Sequence, residues 1–84
     1  MINIYYLSSI REALNKQEDS MELPETVSTV ADLIDYLVTL SPEAASIFNS
    51  ERAVLVAVNQ IVANYESILQ EDDEVAFFPP MTGG

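Results

Sequence analysis

Cysteine and histidine are both missing from this chain of 84 residues. Without them there is no disulfide, no thiol nucleophile and no Ser-His-Asp triad, and zinc, haem and iron–sulfur centres lose their usual protein ligands. Cations are scarce as well. Arg11, Lys16 and Arg52 stand against fourteen acidic side chains, for a net charge of −11. A chain so acidic repels phosphate backbones and offers no basic stripe to release counterions, so nucleic acid is not an expected partner. Anionic membrane surfaces are disfavoured on the same ground, whereas a partner with a basic docking face would be attracted. No apolar run approaches the roughly 18 residues of a membrane span. The opening Met1-Ile2-Asn3-Ile4 carries no basic n-region followed by an apolar stretch, so the expected location is cytoplasmic.

What is present suits one small domain. Apolar residues make up 49% of the chain, enough for a real core despite the acidity. Met1 to Leu7 alternates, with Ile2, Ile4 and Tyr6 on one side and Asn3, Tyr5 and Leu7 on the other, the period of a β-strand. Ser8 to Asn15 places Ile10, Ala13 and Leu14 at helical spacing and predicts a short helical turn or structured loop. A weaker strand fits Ser20 to Leu23, ended by Pro24.

The strongest periodicity follows. Val30, Leu33, Ile34, Leu37 and Val38 form one apolar stripe of a helix, with Asp32, Asp35 and Thr39 facing away. Thr29 is a natural N-cap, and Asp32 three residues on is a capping-box partner. Ser41-Pro42-Glu43 restarts the chain as a cap, a proline at the first helical position and an acid near the positive helix end, predicting a short helix through Phe48. Ala53 to Val58 is apolar on both faces and reads as the central strand of a sheet. Asn59-Gln60 is a turn, Ile61 to Ala63 a short return, and Glu74 to Phe78 a last strand reached through the acidic turn Glu71-Asp72-Asp73. The expected architecture is α+β, a mixed sheet of about four or five strands with one main helix packed across it. Residues 1–78 are expected to form the domain, and 79–84 an extended, flexible tail.

The tail is the unusual composition. Pro79-Pro80 cannot donate ladder hydrogen bonds and each biases its predecessor toward extended backbone, so strand pairing should stop at Phe78. Met81, Thr82, Gly83 and Gly84 then reach about 13–14 Å, enough to thread a narrow channel. Gly83 and Gly84 bring no side chain into that channel, and what arrives at its end is a carboxylate. Adenylation by ATP would turn it into an acyl donor that a second nucleophile can open.

The run Asp73-Glu74-Val75-Ala76-Phe77-Phe78-Pro79-Pro80-Met81-Thr82-Gly83-Gly84 resembles the C-terminus of the small subunit of molybdopterin synthase. Ala57-Val58-Asn59-Gln60 and Arg11-Glu12 extend the resemblance, while 16–26 and 41–51 match only in type and length. The resemblance implies a ubiquitin-like β-grasp fold and a sulfur carrier with no bound cofactor. It implies that an E1-like activating enzyme uses ATP to adenylate the Gly84 carboxylate, and that a persulfide donor converts it to a thiocarboxylate. The tail would then enter the large synthase subunit, where sulfur passes to a pterin precursor in a four-chain assembly of two small and two large subunits. The active site is expected on that large subunit. By position, the resemblance assigns docking to an apolar patch of Leu7, Val62 and Phe78 beside Pro79 and Pro80. Two positions depart from the family pattern: Asp72 stands where glycine is common, and Leu7 where an aromatic ring is common. Phe77 and Phe78 must point to opposite faces, one into the core and one toward the patch.

Other readings remain at this level. A thiamine-type sulfur carrier or a protein modifier would share the tail and its activation. Outside this fold class, a passive acidic interaction domain would tolerate a changed C-terminus. A hydrolase built on Asp72-Asp73 or Glu18-Asp19 would need a pocket that so small a core can hardly enclose.

Overall fold

A computed structural model of the chain describes residues 1–49 and 54–80. In chain order the elements are β1 (Ile2–Tyr6), α1 (Ser8–Leu14), β2 (Glu18–Met21), α2 (Val30–Leu40), α3 (Pro42–Phe48), β3 (Leu55–Val58), β4 (Ile61–Val62) and β5 (Glu74–Phe78). The strands form one mixed sheet in the order β2-β1-β5-β3-β4. β1 and β5 run parallel, and the other neighbours are antiparallel. With α2 as the principal helix across one face, this is the expected β-grasp arrangement.

The expected alternation of β1 holds. Ile2, Ile4 and Tyr6 are buried, as are Val56 of β3 and Val75 and Phe77 of β5. They meet Val30, Leu33, Ile34 and Leu37 from the predicted stripe of α2, with Ile10 and Leu14 of α1 and Ala44 of α3 closing the edges. Among the described residues, Phe77 is the largest side chain wholly removed from solvent. Its ring lies 6.4 Å from the Tyr6 ring in a stacked arrangement and 5.0 Å edge-on from Phe48. Burying one such ring contributes about 1.5–3 kcal/mol from area alone.

The helix caps also follow the expected chemistry. The Asp32 N–H donates to Thr29 Oγ1 at 3.2 Å, and Asp32 Oδ2 accepts from the N–H groups of Ser28 at 3.0 Å and Thr29 at 3.2 Å. These donors, Ser28 first, hold the Asp32 carboxyl below its ordinary pKa. Ser41 Oγ caps α3 by accepting from the Ala44 N–H at 3.1 Å. The segment between β4 and β5 secures the start of α2 from outside, because the N–H groups of Val30 and Ala31 donate to the carbonyls of Ser67 and Tyr65.

Both glycines of the chain lie at 83 and 84, so tight turns must use residues that carry a Cβ. Positive φ falls on Ser8, Asn15, Asn59, Gln60 and Asp72. Asn59 (φ 52°) and Gln60 (φ 69°) form the two-residue β3–β4 connection, which needs positive φ at both centres to match strand twist. Asn59 is then held to β5: its Nδ2 donates to Asp73 Oδ1 at 3.0 Å, and its Oδ1 accepts from the Glu74 N–H at 3.0 Å.

Three expectations change. The central strand is β5, not the strand ending at Val58. Alternation of apolar residues fixes which way side chains face but says nothing about lateral order, and β5 inserts between β1 and β3. The second strand begins at Glu18 rather than Ser20. Its register against β1 is set by Ile2 opposite Met21 and Tyr5 opposite Glu18, and Asp19 is drawn in by the Tyr6 hydroxyl at 2.8 Å. β1 stops at Tyr6, and Leu7 is the N-cap residue of α1.

Candidate docking face and tail stem

The face of the sheet turned away from α2 is assembled by strand register. At the end where β1 and β5 both finish, Phe78 pairs with Leu55, and the Leu7 N–H donates to the Phe77 carbonyl at 3.0 Å. One step inward, Tyr5, Ala76, Ala57 and Val62 form a continuous row, because Tyr5 pairs with Ala76, Ala76 with Ala57, and Ala57 with Val62. A further step inward the row turns polar, with Ser20, Asn3 and Glu74.

Register places the three expected patch residues on this face, Leu7 and Phe78 at its stem end and Val62 one row inward on β4. Leu7 is 43% exposed and Val62 75% exposed, so neither is ordinary core. Phe78 is half-buried on the open side, whereas its neighbour Phe77 has no exposure at all. Pro79 is half-buried beside the patch, and Pro80 is exposed. β5 ends at Phe78 as the two prolines require, and the stem therefore leaves from the foot of the apolar patch. Met81, Thr82, Gly83 and Gly84 lie outside the described residues, as does Ala53.

Sequence reasoning missed Leu55, 38% exposed, together with Tyr5 and Ala57 as members of the same surface. The signal was available. A β3 sequence apolar on both faces was read as evidence for a central strand, but the second apolar face is also what a recognition surface looks like. The patch is contiguous by register, which separates it from scattered surface apolars.

Several titratable groups serve the fold. Burial, followed by the hydrogen bond to Asp19, pushes the Tyr6 phenol pKa well above its ordinary value. Burial likewise raises Tyr65, whose hydroxyl donates to the Val54 carbonyl at 2.6 Å. Asp19 also pairs with Lys16 at 3.0 Å. The N-terminal ammonium lies 2.9 Å from Glu71 and 3.0 Å from Asp72, contacts that raise its pKa. Thus Asp19 of one acidic pair weighed for hydrolysis, and both Asp72 and Asp73 of the other, already have structural partners, and among the described residues no acidic cluster could hold a metal. Two hollows among the described residues, of about 300 and 340 Å³, are open grooves on the surface. Among the described residues no helix is long and apolar enough to cross a membrane.

Comparison with known proteins places this geometry. Residues 4–84 match the ThiS family. The molybdopterin synthase sulfur carrier subunit of Escherichia coli K12 is 33% identical over 84 residues, covering all of both chains. Among solved structures, the putative molybdopterin converting factor subunit 1 of Pyrococcus furiosus is 26% identical with a TM-score of 0.73, covering 95% of this chain and 97% of that one. SAMP1 of Haloferax volcanii superposes with a TM-score of 0.78 over 99% of this chain and 98% of its own, at 24% identity, a likeness of fold alone.

Proposed function

Because the chain belongs to the ThiS family, we propose that it is a sulfur carrier of molybdopterin synthesis, with the Gly84 carboxylate as the group that is loaded and unloaded. The observation that carries this reading is the contiguous apolar surface of Leu7, Leu55, Val62 and Phe78 at the foot of a two-proline stem. A docking face there sets the distance and direction from which the last residues enter a partner's channel. The sulfur-carrier name of the full-length E. coli relative supports the same assignment.

In this reading an E1-like enzyme binds ATP and joins the carboxylate to its α-phosphate, releasing pyrophosphate. A persulfide sulfur then attacks the acyl carbon and displaces AMP, and a thiol reduces the resulting acyl disulfide to the thiocarboxylate. The large subunit of molybdopterin synthase receives the loaded tail, and sulfur passes to the pterin precursor. The carrier contributes no catalytic pocket. Its contribution is orientation: the docked face limits the freedom of the reactive end, which raises its effective concentration at the acceptor. Two carriers on a dimeric large subunit, working in the cytoplasm, complete the proposal.

The test is intact mass spectrometry of the carrier incubated with the activating enzyme, ATP and a persulfide donor, followed by transfer in the presence of the large subunit. The expected product is heavier by the sulfur-for-oxygen difference at Gly84, and it should form dithiolene only with the large synthase subunit. Deleting Gly84 or appending one residue should leave the fold unchanged and abolish both steps. Sulfur transfer by either variant would overturn the carrier role. Capture of a thiazole-forming enzyme, or isopeptide linkage to lysines, would move the protein to the thiamine or protein-modifier branch.

A further inference from the structure

On the open face, acidic side chains and apolar side chains are arranged in order rather than mixed. The row nearest the stem, Leu7, Phe78 and Leu55, is wholly apolar. The next row runs Glu18, Tyr5, Ala76, Ala57 and Val62, acidic only at its β2 end. The third row holds Glu74 between Asn3 and the β3–β4 turn, with the Ser20 hydroxyl hydrogen-bonded to Asn3. At about 6.6–6.8 Å per two residues, the carboxylates stand within about one or two rows of the apolar centre.

Among the strand residues, Glu18 and Glu74 are the acids that register places on this face. Asp19, next to Glu18 but on the helix side, has both Tyr6 and Lys16 as partners. Asp32 caps α2, Glu71 and Asp72 hold the N-terminal ammonium, and Asp73 binds Asn59 and the Gln70 N–H. The carboxylates of Glu18 and Glu74 have no ion pair or side-chain hydrogen bond among the described residues. Other described acids, such as Glu12, Glu22, Asp35 and Glu43, are equally unpaired, and what sets Glu18 and Glu74 apart is that register puts them beside the apolar rows of the open face.

We infer that the open face recognises a partner protein whose contact surface is apolar opposite Leu7, Leu55 and Phe78 and cationic opposite Glu18 and Glu74. The inference rests on the carrier reading and adds to it the chemistry of the partner's surface and the orientation in which it must approach. A second copy of the chain does not fit, because two molecules of charge −11 would bring their unpaired carboxylates together. The apolar rows hold the docked complex, and the acidic flank steers encounter and fixes which way round the partner sits.

The experiment measures association and dissociation rates of the full chain with the purified large subunit of molybdopterin synthase, from low to physiological salt. Glu18→Lys with Glu74→Lys should slow association about tenfold at low salt, flatten its salt dependence and leave dissociation nearly unchanged. The control is Asp35→Lys with Glu43→Lys, an equal change of net charge on the exposed helix side, which should slow association far less. Thermal midpoints check the folds, and Glu18→Gln with Glu74→Gln gives a smaller effect in the same direction should the lysine pair misfold. Equal slowing by both lysine pairs, or none by either, overturns the inference while leaving the carrier reading in place. Failure of the unaltered carrier to bind the large subunit overturns that reading, and the inference with it.

Discussion

The two faces of the sheet are made from the same strands by alternate residues, yet they are built to opposite ends. Toward α2, Ile2, Ile4, Tyr6, Val56, Val75 and Phe77 pack into an apolar core, and among the described residues no polar or charged residue is buried. Away from α2, Leu7, Leu55, Val62 and Phe78 are comparably apolar but remain in contact with water. Apolarity alone therefore does not say what a side chain is for. What separates the two faces is whether the chain itself supplies a cover, and the uncovered face is the one from which the two-proline stem departs. Stability and recognition are divided with a period of two residues, so a change at one position can be made without greatly disturbing its neighbour.

The sharpest way to break this comparison is at Phe77 and Phe78. Phe77→Ala removes the ring packed between Tyr6 and Phe48 and should cost about 3–5 kcal/mol. At this size that is a large part of the total stability, and a midpoint fall of more than about 12 °C is expected in thermal unfolding followed by circular dichroism. Phe78→Asp should cost less than about 1 kcal/mol in the same experiment, yet weaken binding to the large subunit at least tenfold, a loss of about 1.4 kcal/mol or more in affinity. Comparable unfolding by both substitutions would show that the two faces are not separable in this way.

A smaller effect is expected at Tyr6, a core residue with one polar atom. Tyr6→Phe removes the hydroxyl that donates to Asp19 and should cost about 0.5–1.5 kcal/mol, with Lys16 still available to the carboxylate. Because the folded phenol pKa lies above its unfolded value of about 10, the contribution of this group is complete below about pH 10 and is lost as pH rises beyond it. Urea unfolding as a function of pH should therefore show the native chain weakening through alkaline pH more steeply than the Tyr6→Phe variant. Identical slopes would mean that the phenol is already solvated in the folded state.

The sequence declared local structure more readily than lateral arrangement. The stripe from Val30 to Leu37, the Thr29–Asp32 capping box, the stop at Phe78 and the opposed orientations of Phe77 and Phe78 are all consequences of spacing within a few residues. The position of β5 at the centre of the sheet is not such a consequence, because pairing partners far apart in the chain leave no periodic mark. Leu55 and Ala57 were hidden for a related reason: apolar residues on the second face of a strand look the same whether a helix or another protein covers them. The Glu18–Glu74 flank was beyond reach for the same cause, since only the β2–β1–β5 register brings residues 56 positions apart onto one face.

The smallest expected effect lies at Asp72, the departure from the glycine common in the resembled family. Its φ of 70° is one that a glycine adopts without a Cβ penalty, and relief of that penalty would favour Asp72→Gly by up to about 1 kcal/mol. Against it, glycine gives the unfolded chain more freedom, which costs about 0.4–1 kcal/mol. The substitution also removes a surface acceptor from the N-terminal ammonium, which keeps Glu71 at 2.9 Å. The opposing effects nearly cancel, so the thermal midpoint should move by only a few degrees, and docking, which uses the other end of β5, should not change. A large fall in stability would show instead that the Asp72 carboxylate holds the start of the sheet together, and that aspartate stands in this turn for its charge rather than for its tolerance of the left-handed conformation.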